Sequence, residues 1–159
     1  MEVVYRPIGI VHSPFEDVEG MPIQPSGARG VEGWIEVYPD YVAGLADLEG
    51  FSHIVLLYHF HQVTQMQLVV RPFLDGEPRG VFATRAPKRP NPIGLSVVRL
   101  VRVEGATLWI EGVDVLNGTP LLDLKPYVPA FDHHPVERTG WLDGKGDAAH
   151  RQRSDGRFR

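Results

Sequence analysis

Apolar and polar side chains alternate over residues 31–38, with Ile35 and Val37 set against Trp34, Glu36 and Tyr38, and this period of two recurs along the chain. Alternation is the pattern of a half-buried strand, because successive side chains point to opposite faces of a sheet. Residues 53–61 give the strongest strand. Ile54, Leu56, Tyr58 and Phe60 share one face, and His53, His59 and His61 share the other. Further strands are predicted at 6–11, 68–70, 81–83, 93–103, 107–115 and 121–124, with Gly, Pro and Asn turn signals between them. A short helix is predicted over 40–48, capped by Asp40. The expected class is all-β with one or two short helices, arranged as a barrel or sandwich. No Gly-x-Gly-x-x-Gly follows a strand and no regular βαβ alternation occurs, which argues against a Rossmann-type nucleotide site.

The 159 residues suffice for one domain with a real core. The absence of cysteine excludes disulfides, thiolate nucleophiles and zinc sites built on sulfur, and it is compatible with a reducing cytoplasm, the expected location. No signal peptide is expected, because residues 1–5 lead directly into a strand-like run. The longest apolar stretch, 54–58 with Phe60 beyond it, is far too short to cross a bilayer, so no membrane partner is expected.

Residues 80–96 read GVFATRAPKRPNPIGLS, and they carry more chemistry than a plain turn requires. Pro87, Pro90 and Pro92 fix their own φ and push Ala86, Arg89 and Asn91 toward extended conformations. Arg85, Lys88 and Arg89 are therefore presented on a stiff loop, which suits an anionic ligand because ordering entropy is lost before binding. From 78 to 103 there are six Arg or Lys and no Asp or Glu, although the chain as a whole carries a net charge of −4. Such a local basic surface on an acidic body is able to track phosphates. Residues 145–159 hold five more cations, Arg157 and Arg159 among them, and are predicted to form a basic, disordered tail after a domain over 1–144.

Two other groups stand out. His59 and His61 have the alternate spacing of a metal pair, but no third ligand is placed beside them; lining a cleft at the strand end is the commoner role. Asn117-Gly118 is a hairpin turn signal. The run Leu121-Leu122-Asp123-Leu124-Lys125-Pro126-Tyr127 follows it and sets an acid, a lysine and a tyrosine among apolar residues. Asp123 and Lys125 share a face of a continuing strand, where they either pair with each other or serve a ligand.

These segments resemble the TrmO (TsaA-like) family of S-adenosylmethionine-dependent tRNA methyltransferases. The matching stretches are 7–15 (PIGIVHSPF), Gln24-Pro25, Gly44-Leu45, 51–53, Phe60-His61-Gln62, GVFATR with RPNPIGLS, and 114–127, together covering residues 5 to about 132. The resemblance implies a small single-sheet β-barrel, a homodimer, and methylation of N6 on N6-threonylcarbamoyladenosine at position 37, in the anticodon loop of tRNA. It also implies an S-adenosylmethionine site on Gln24, Pro25, Ser26, His61, Gln62, Arg85, Leu95, Leu121, Leu122, Asp123 and Leu124. The chain departs from the family where Ala86-Pro87-Lys88 stand in place of a serine and an apolar residue. A second domain found in some relatives is replaced by the basic tail, and the acidic loop 16–20 offers nothing toward tRNA.

The chemistry expected from this reading is direct methyl transfer. Arg85, Arg89 or Lys125 would stabilise the anion that develops on the acceptor, and Asp114, Asp123 or Tyr127 would take the proton or orient the base. Lys88, Arg89 and Asn91 are expected to meet the substrate, whose carboxylate suits a guanidinium. Two further classes remain open at this point. A nucleotide- or RNA-binding barrel without chemistry would gain from the basic turn, and a histidine-based metal enzyme would use the His strand.

Overall fold

A computed structural model describes residues 1–149 and 151–155. Its strands are β1 (Gly9–His12), β2 (Glu32–Val37), β3 (His53–His59), β4 (Val69–Val70), β5 (Arg79–Gly80), β6 (Ile93–Glu104), β7 (Thr107–Glu111) and β8 (Thr119–Pro126). Six of these close into one antiparallel barrel in the order β1-β2-β7-β6-β3-β8, with β8 pairing back to β1, while β4 and β5 form a separate two-stranded ribbon. The all-β class and the single-sheet barrel are both borne out. Two short helices, α1 (Pro129–Asp132) and α2 (Gly146–Ala149), follow the barrel.

The period of two does what the sequence suggested. Val11, Ile35, Ile54, Leu56, Leu108, Ile110 and Leu121 all point inward and are buried. Burial of an aliphatic side chain of this size stabilises by about 1.5–3 kcal/mol. Tyr58 breaks the aliphatic run on β3 and lies across Gly94 of β6. A Cβ at position 94 would stand 2.5 Å from Tyr58 Cζ and 2.9 Å from Phe60 Cζ. The missing side chain thus makes room for two rings packed edge to face at 5.5 Å. Gly94→Ala should cost about 1–3 kcal/mol through overpacking, read as a lower melting temperature. An unchanged melting temperature would mean the Tyr58 ring has somewhere else to go.

The expected elements differ from the structure in four places. Residues 40–48 form two 3-10 turns, Pro39–Leu45 and Leu48–Gly50, rather than one helix capped by Asp40. Tyr38 takes the cap position, Pro39 sets the first turn, and Gly44 weakens any continuation. Val81–Ala83 is a 3-10 turn and not a strand. The Thr84 backbone N–H and hydroxyl both bond the Val81 carbonyl and close it. β7 stops at Glu111, because Gly112 adopts a left-handed φ of 88°. Finally, Asn117-Gly118 does not make a hairpin, since β7 and β8 are not neighbours in the barrel. The segment 112–118 instead crosses from one strand to the other, with Val113, Asp114 and Val115 buried. Asn117 fastens this crossing: its side chain accepts from Ser13 N at 3.2 Å and donates to Glu16 Oε1 at 3.0 Å.

β8 carries one irregularity. Leu57 faces Asp123 and Tyr58 faces Leu121, so Leu122 is passed over in the pairing. Leu121 and Leu124 can then both reach the core although they are three residues apart.

Of the segment expected to be a disordered tail, the structure describes 145–149 and 151–155; Arg157 and Arg159 lie outside the described residues. Residues 139–149 and 151–155 lie as a strap between two loops. At one end Trp141 Nε1 donates to the Ala83 carbonyl at 2.8 Å, and the Trp141 ring meets the Arg79 and Lys145 cations, both of which reach Asp75. At the other end Ser154 exchanges backbone hydrogen bonds with Gly20 and Met21 at 2.7 and 2.8 Å.

Candidate functional site

A cleft of about 1290 Å³ opens where β3 ends and β6 begins, between the loops that follow β1 and β5 and the strap. Its volume exceeds the roughly 300–1,000 Å³ typical of a pocket for one drug-sized ligand. Ile93, Leu95, Phe60 and Phe82 give it an apolar side, and Glu16, Asp17, Arg85 and His61 bring charge or titratable groups to the rest.

Two buried side chains, Tyr58 and Asp114, form the floor, and Ser96 links them from beneath it. Ser96 Oγ donates to Asp114 Oδ1 at 2.6 Å, and the Tyr58 hydroxyl lies 2.9 Å from Ser96 Oγ. Because the serine hydrogen is committed to the carboxylate, Tyr58 is the donor to Ser96. Burial pushes the Asp114 carboxyl up to about 7, against the opposing pull of the Ser96 bond and the Arg85 charge. Burial, with the Asp114 charge second, raises the Tyr58 phenol well above its ordinary value, so it stays protonated. His61 at the rim is shifted down, first by burial and then by neighbouring His59, which favours the neutral imidazole.

The loop 80–92 is stiff for a reason beyond its prolines. Arg89 Nη1 donates to the carbonyls of Thr84 and Ala86, both at 3.0 Å, and approaches that of Val81 at 3.5 Å. The guanidinium expected to meet substrate thus holds the loop's own backbone, although Arg89 still borders the cleft. Arg85 has the opposite posture. Its side chain is exposed over the cleft and donates through Nη1 to Gln24 Oε1 at 3.1 Å.

Three of the six cations in the acid-free run are paired in space with acids from outside it. Arg79 pairs with Asp75, Arg102 with Glu104 at 2.6 Å, and Arg99 with Glu111 at 4.0 Å. A continuous basic track along 78–103 is therefore not what the fold presents.

The structure gathers Gln24, His61, Gln62, Arg85, Arg89, Leu95 and Asp114 around one cleft. Ser26 sits in the adjoining 3-10 turn Pro25–Ala28, and its side chain is exposed. The β8 residues are placed elsewhere. Leu121 is a core side chain and Leu124 packs against the core, while Leu122 and Asp123 lie along the barrel wall; none of the four borders this cleft. Asp123 and Lys125 pair with each other at 2.8 Å, the simpler of the two alternatives for that face. Tyr127 N–H donates to the His53 carbonyl, at the end of β3 away from His61, about 20 Å along the strand. Lys88 and Asn91 do not border the cleft either. Among the described residues, no three His, Asp or Glu side chains assemble as metal ligands would, and no helix is long and apolar enough to cross a membrane.

Sequence reasoning missed Tyr58, Ser96, Glu16 and Asp17. Ser96 was the most findable, since it occupies an inward position between Gly94 and Val98 on a strand whose other inward residues are small or apolar. Glu16 and Asp17 carried no local signal, because only the closing of the barrel brings their loop to the cleft.

The tRNA-methyltransferase O N-terminal domain matches residues 10–133. A protein of Pyrococcus abyssi, named as a probable S-adenosyl-L-methionine-binding protein, is 54% identical over 156 residues, covering 98% of this chain and 85% of its own. A mouse protein named tRNA (adenine(37)-N6)-methyltransferase is 34% identical over 160 residues, covering 90% of this chain but only 37% of its own. The crystal structure of TrmO from Pseudomonas aeruginosa superposes with a TM-score of 0.75 at 42% identity, covering 89% of this chain and 63% of that one. This chain therefore spans less than two thirds of the Pseudomonas protein and under half of the mouse one. The barrel, the motifs and the matched span agree, and the chain belongs to the tRNA-methyltransferase O N-terminal domain family.

Proposed function

We propose that this protein is an S-adenosylmethionine-dependent methyltransferase that acts on N6 of N6-threonylcarbamoyladenosine at position 37 of tRNA, in the cytoplasm. The observation that carries the reading is the convergence of Gln24, His61, Gln62, Arg85 and Leu95 on one cleft, beside the buried carboxyl of Asp114. The residues present fit the donor's chemistry. The carboxylates of Glu16 and Asp17 suit a sulfonium and an ammonium, and the face formed by Ile93, Leu95 and Phe82 suits an adenine ring. A cleft of about 1290 Å³ also leaves room for an acceptor base beside a donor.

S-adenosylmethionine, when bound, supplies a methyl group on a sulfonium sulfur and leaves as the thioether. The chain's own residues position, neutralise and take up a proton. Arg85 faces the charge that develops on the acceptor nitrogen, and electrostatic stabilisation of this kind is a large term in catalysis. Asp114 lies within the same cleft, where a carboxylate can accept the nitrogen's proton. The stiff loop 80–92 holds Arg85 in place before binding.

We also read the protein as a homodimer. Leu122 and Asp123 lie on the barrel wall outside this cleft, so the donor contact their motif implies falls in the cleft of a second copy. Calorimetry with S-adenosylmethionine and S-adenosylhomocysteine tests the cofactor, with light scattering for the mass of the complex. Micromolar binding, followed by methylation of tRNA bearing the modified base and not of tRNA lacking it, is the expected result. Binding of RNA without binding of either cofactor would support a non-catalytic barrel instead.

A further inference from the structure

Tyr58, Ser96 and Asp114 are set into an apolar surround that includes Leu56, Val98 and Val115. Apolar residues of similar shape would pack such a floor without the desolvation cost that buried polar groups carry. The three come from β3, β6 and the crossing segment, so three separate parts of the chain converge to build one hydrogen-bonded row. The row has a direction, from the Tyr58 phenol through the Ser96 hydroxyl to the carboxylate, and Asp114 and Tyr58 both border the cleft. No buried side-chain nitrogen or oxygen among the described residues lacks a partner, so the row is complete as it stands.

We infer that Ser96 and Tyr58 are positioning residues that hold Asp114 as the proton acceptor of the transfer. As the acceptor nitrogen forms its bond to the methyl carbon, its N–H bond breaks and the proton passes to an Asp114 carboxylate oxygen. The electron pair of the broken S–C bond stays with the donor's sulfur, and Asp114 later releases the proton to water. This rests on the methyltransferase reading above, because it needs an acceptor with an N–H to lose.

The groups that face Asp114 are Tyr58 from β3, Ser96 from β6 and Arg85 from the loop 80–92, with His61, Glu16 and Asp17 around the same cleft. An ordinary carboxylate is a weak base at neutral pH, and one lifted toward 7 is far better matched to the task. The lift has a sign in stability as well. Asp114 binds its proton more tightly in the folded chain, so its contribution is full below the ordinary value of 3.8 and is lost as pH rises through about 7.

The test uses the free protein first. Carbon-13 NMR of the Asp114 carboxyl is followed against pH in the wild type, Ser96→Ala and Tyr58→Phe. The wild-type carboxyl should titrate near 7, and Ser96→Ala, which removes a bond to the charged form, should move it up by about one unit. The rising limb of kcat against pH should move by the same amount, while S-adenosylhomocysteine affinity changes less than about twofold. Tyr58→Phe keeps the ring and should act in the same direction by less, so it carries the test if Ser96→Ala does not fold.

A carboxyl that titrates near 3.8, or a rate limb that stays put while the carboxyl moves, would overturn the inference. So would loss of cofactor binding in both variants, which would make the row a cofactor ligand. NMR shifts as expected, with no methyl transfer to any tRNA by the wild type, would overturn the methyltransferase reading and take the proton role with it.

Discussion

Arg85→Ala should leave the barrel folded and reduce methyl transfer by about 10²–10³-fold, the usual cost of removing one preorganised donor aimed at developing charge. The side chain is exposed and donates to Gln24 Oε1. Surface substitutions of that kind usually change stability by less than about 0.5 kcal/mol. The expected pattern is therefore a melting temperature near wild type with a large fall in kcat. A second effect follows from the same charge. Arg85 opposes the lift on Asp114, so its removal should move the rising limb of the pH profile to higher pH. Lysine at this position should restore part of the rate but not the two-point geometry of a guanidinium. A folded, fully active Arg85→Ala protein would remove this residue from the site.

Arg89→Ala should behave in the reverse manner, with stability and cofactor affinity falling together. Its Nη1 serves the Thr84 and Ala86 carbonyls, and the loop that it ties includes the backbone of Arg85. Hydrogen bonds from a charged donor contribute about 1.5–3 kcal/mol, and a chain of this size loses about 2–4 °C of melting temperature per kcal/mol. A fall of several degrees is expected by calorimetric melting, with S-adenosylhomocysteine binding weakened because the loop must now be ordered on binding. Arg89→Lys should recover part of the melting temperature, since an ammonium can donate to several carbonyls without the planar fork. Unchanged melting with a specific rise in KM for tRNA would instead return Arg89 to the substrate role that its sequence context suggested.

The contrast between these two arginines shows what a linear sequence conveys. Both sit four residues apart on one proline-stiffened loop, and both carry the same charge. Only the folded backbone decides that one turns back to its own carbonyls and the other reaches over a cleft. The barrel was legible because alternation is a local signal, and inward Ile35, Ile54 and Leu56 follow directly from it. The 3-10 turn at Val81–Ala83 was not, since three apolar residues read as a short strand unless the closing role of Thr84 is known. Asp114 could be named from its motif, but its burial depends on a crossing segment that Asn-Gly made look like a hairpin. Cations without neighbouring acids looked like a continuous basic surface, yet Asp75, Glu104 and Glu111 reach three of the six from outside the run.

The residue passed over in β8 bears on how the length of this chain can change. Tyr58 faces Leu121 and Leu57 faces Asp123, so deleting Leu122 would join those two pairs into an ordinary ladder. Neither partner strand would slip, because β1 meets β8 only up to Leu121. A one-residue loss in the middle of a barrel strand normally turns every later side chain to the wrong face. Here the wall of the barrel contains a point at which the chain can shorten by one and keep both the core leucines and the outward Asp123 and Lys125 in place.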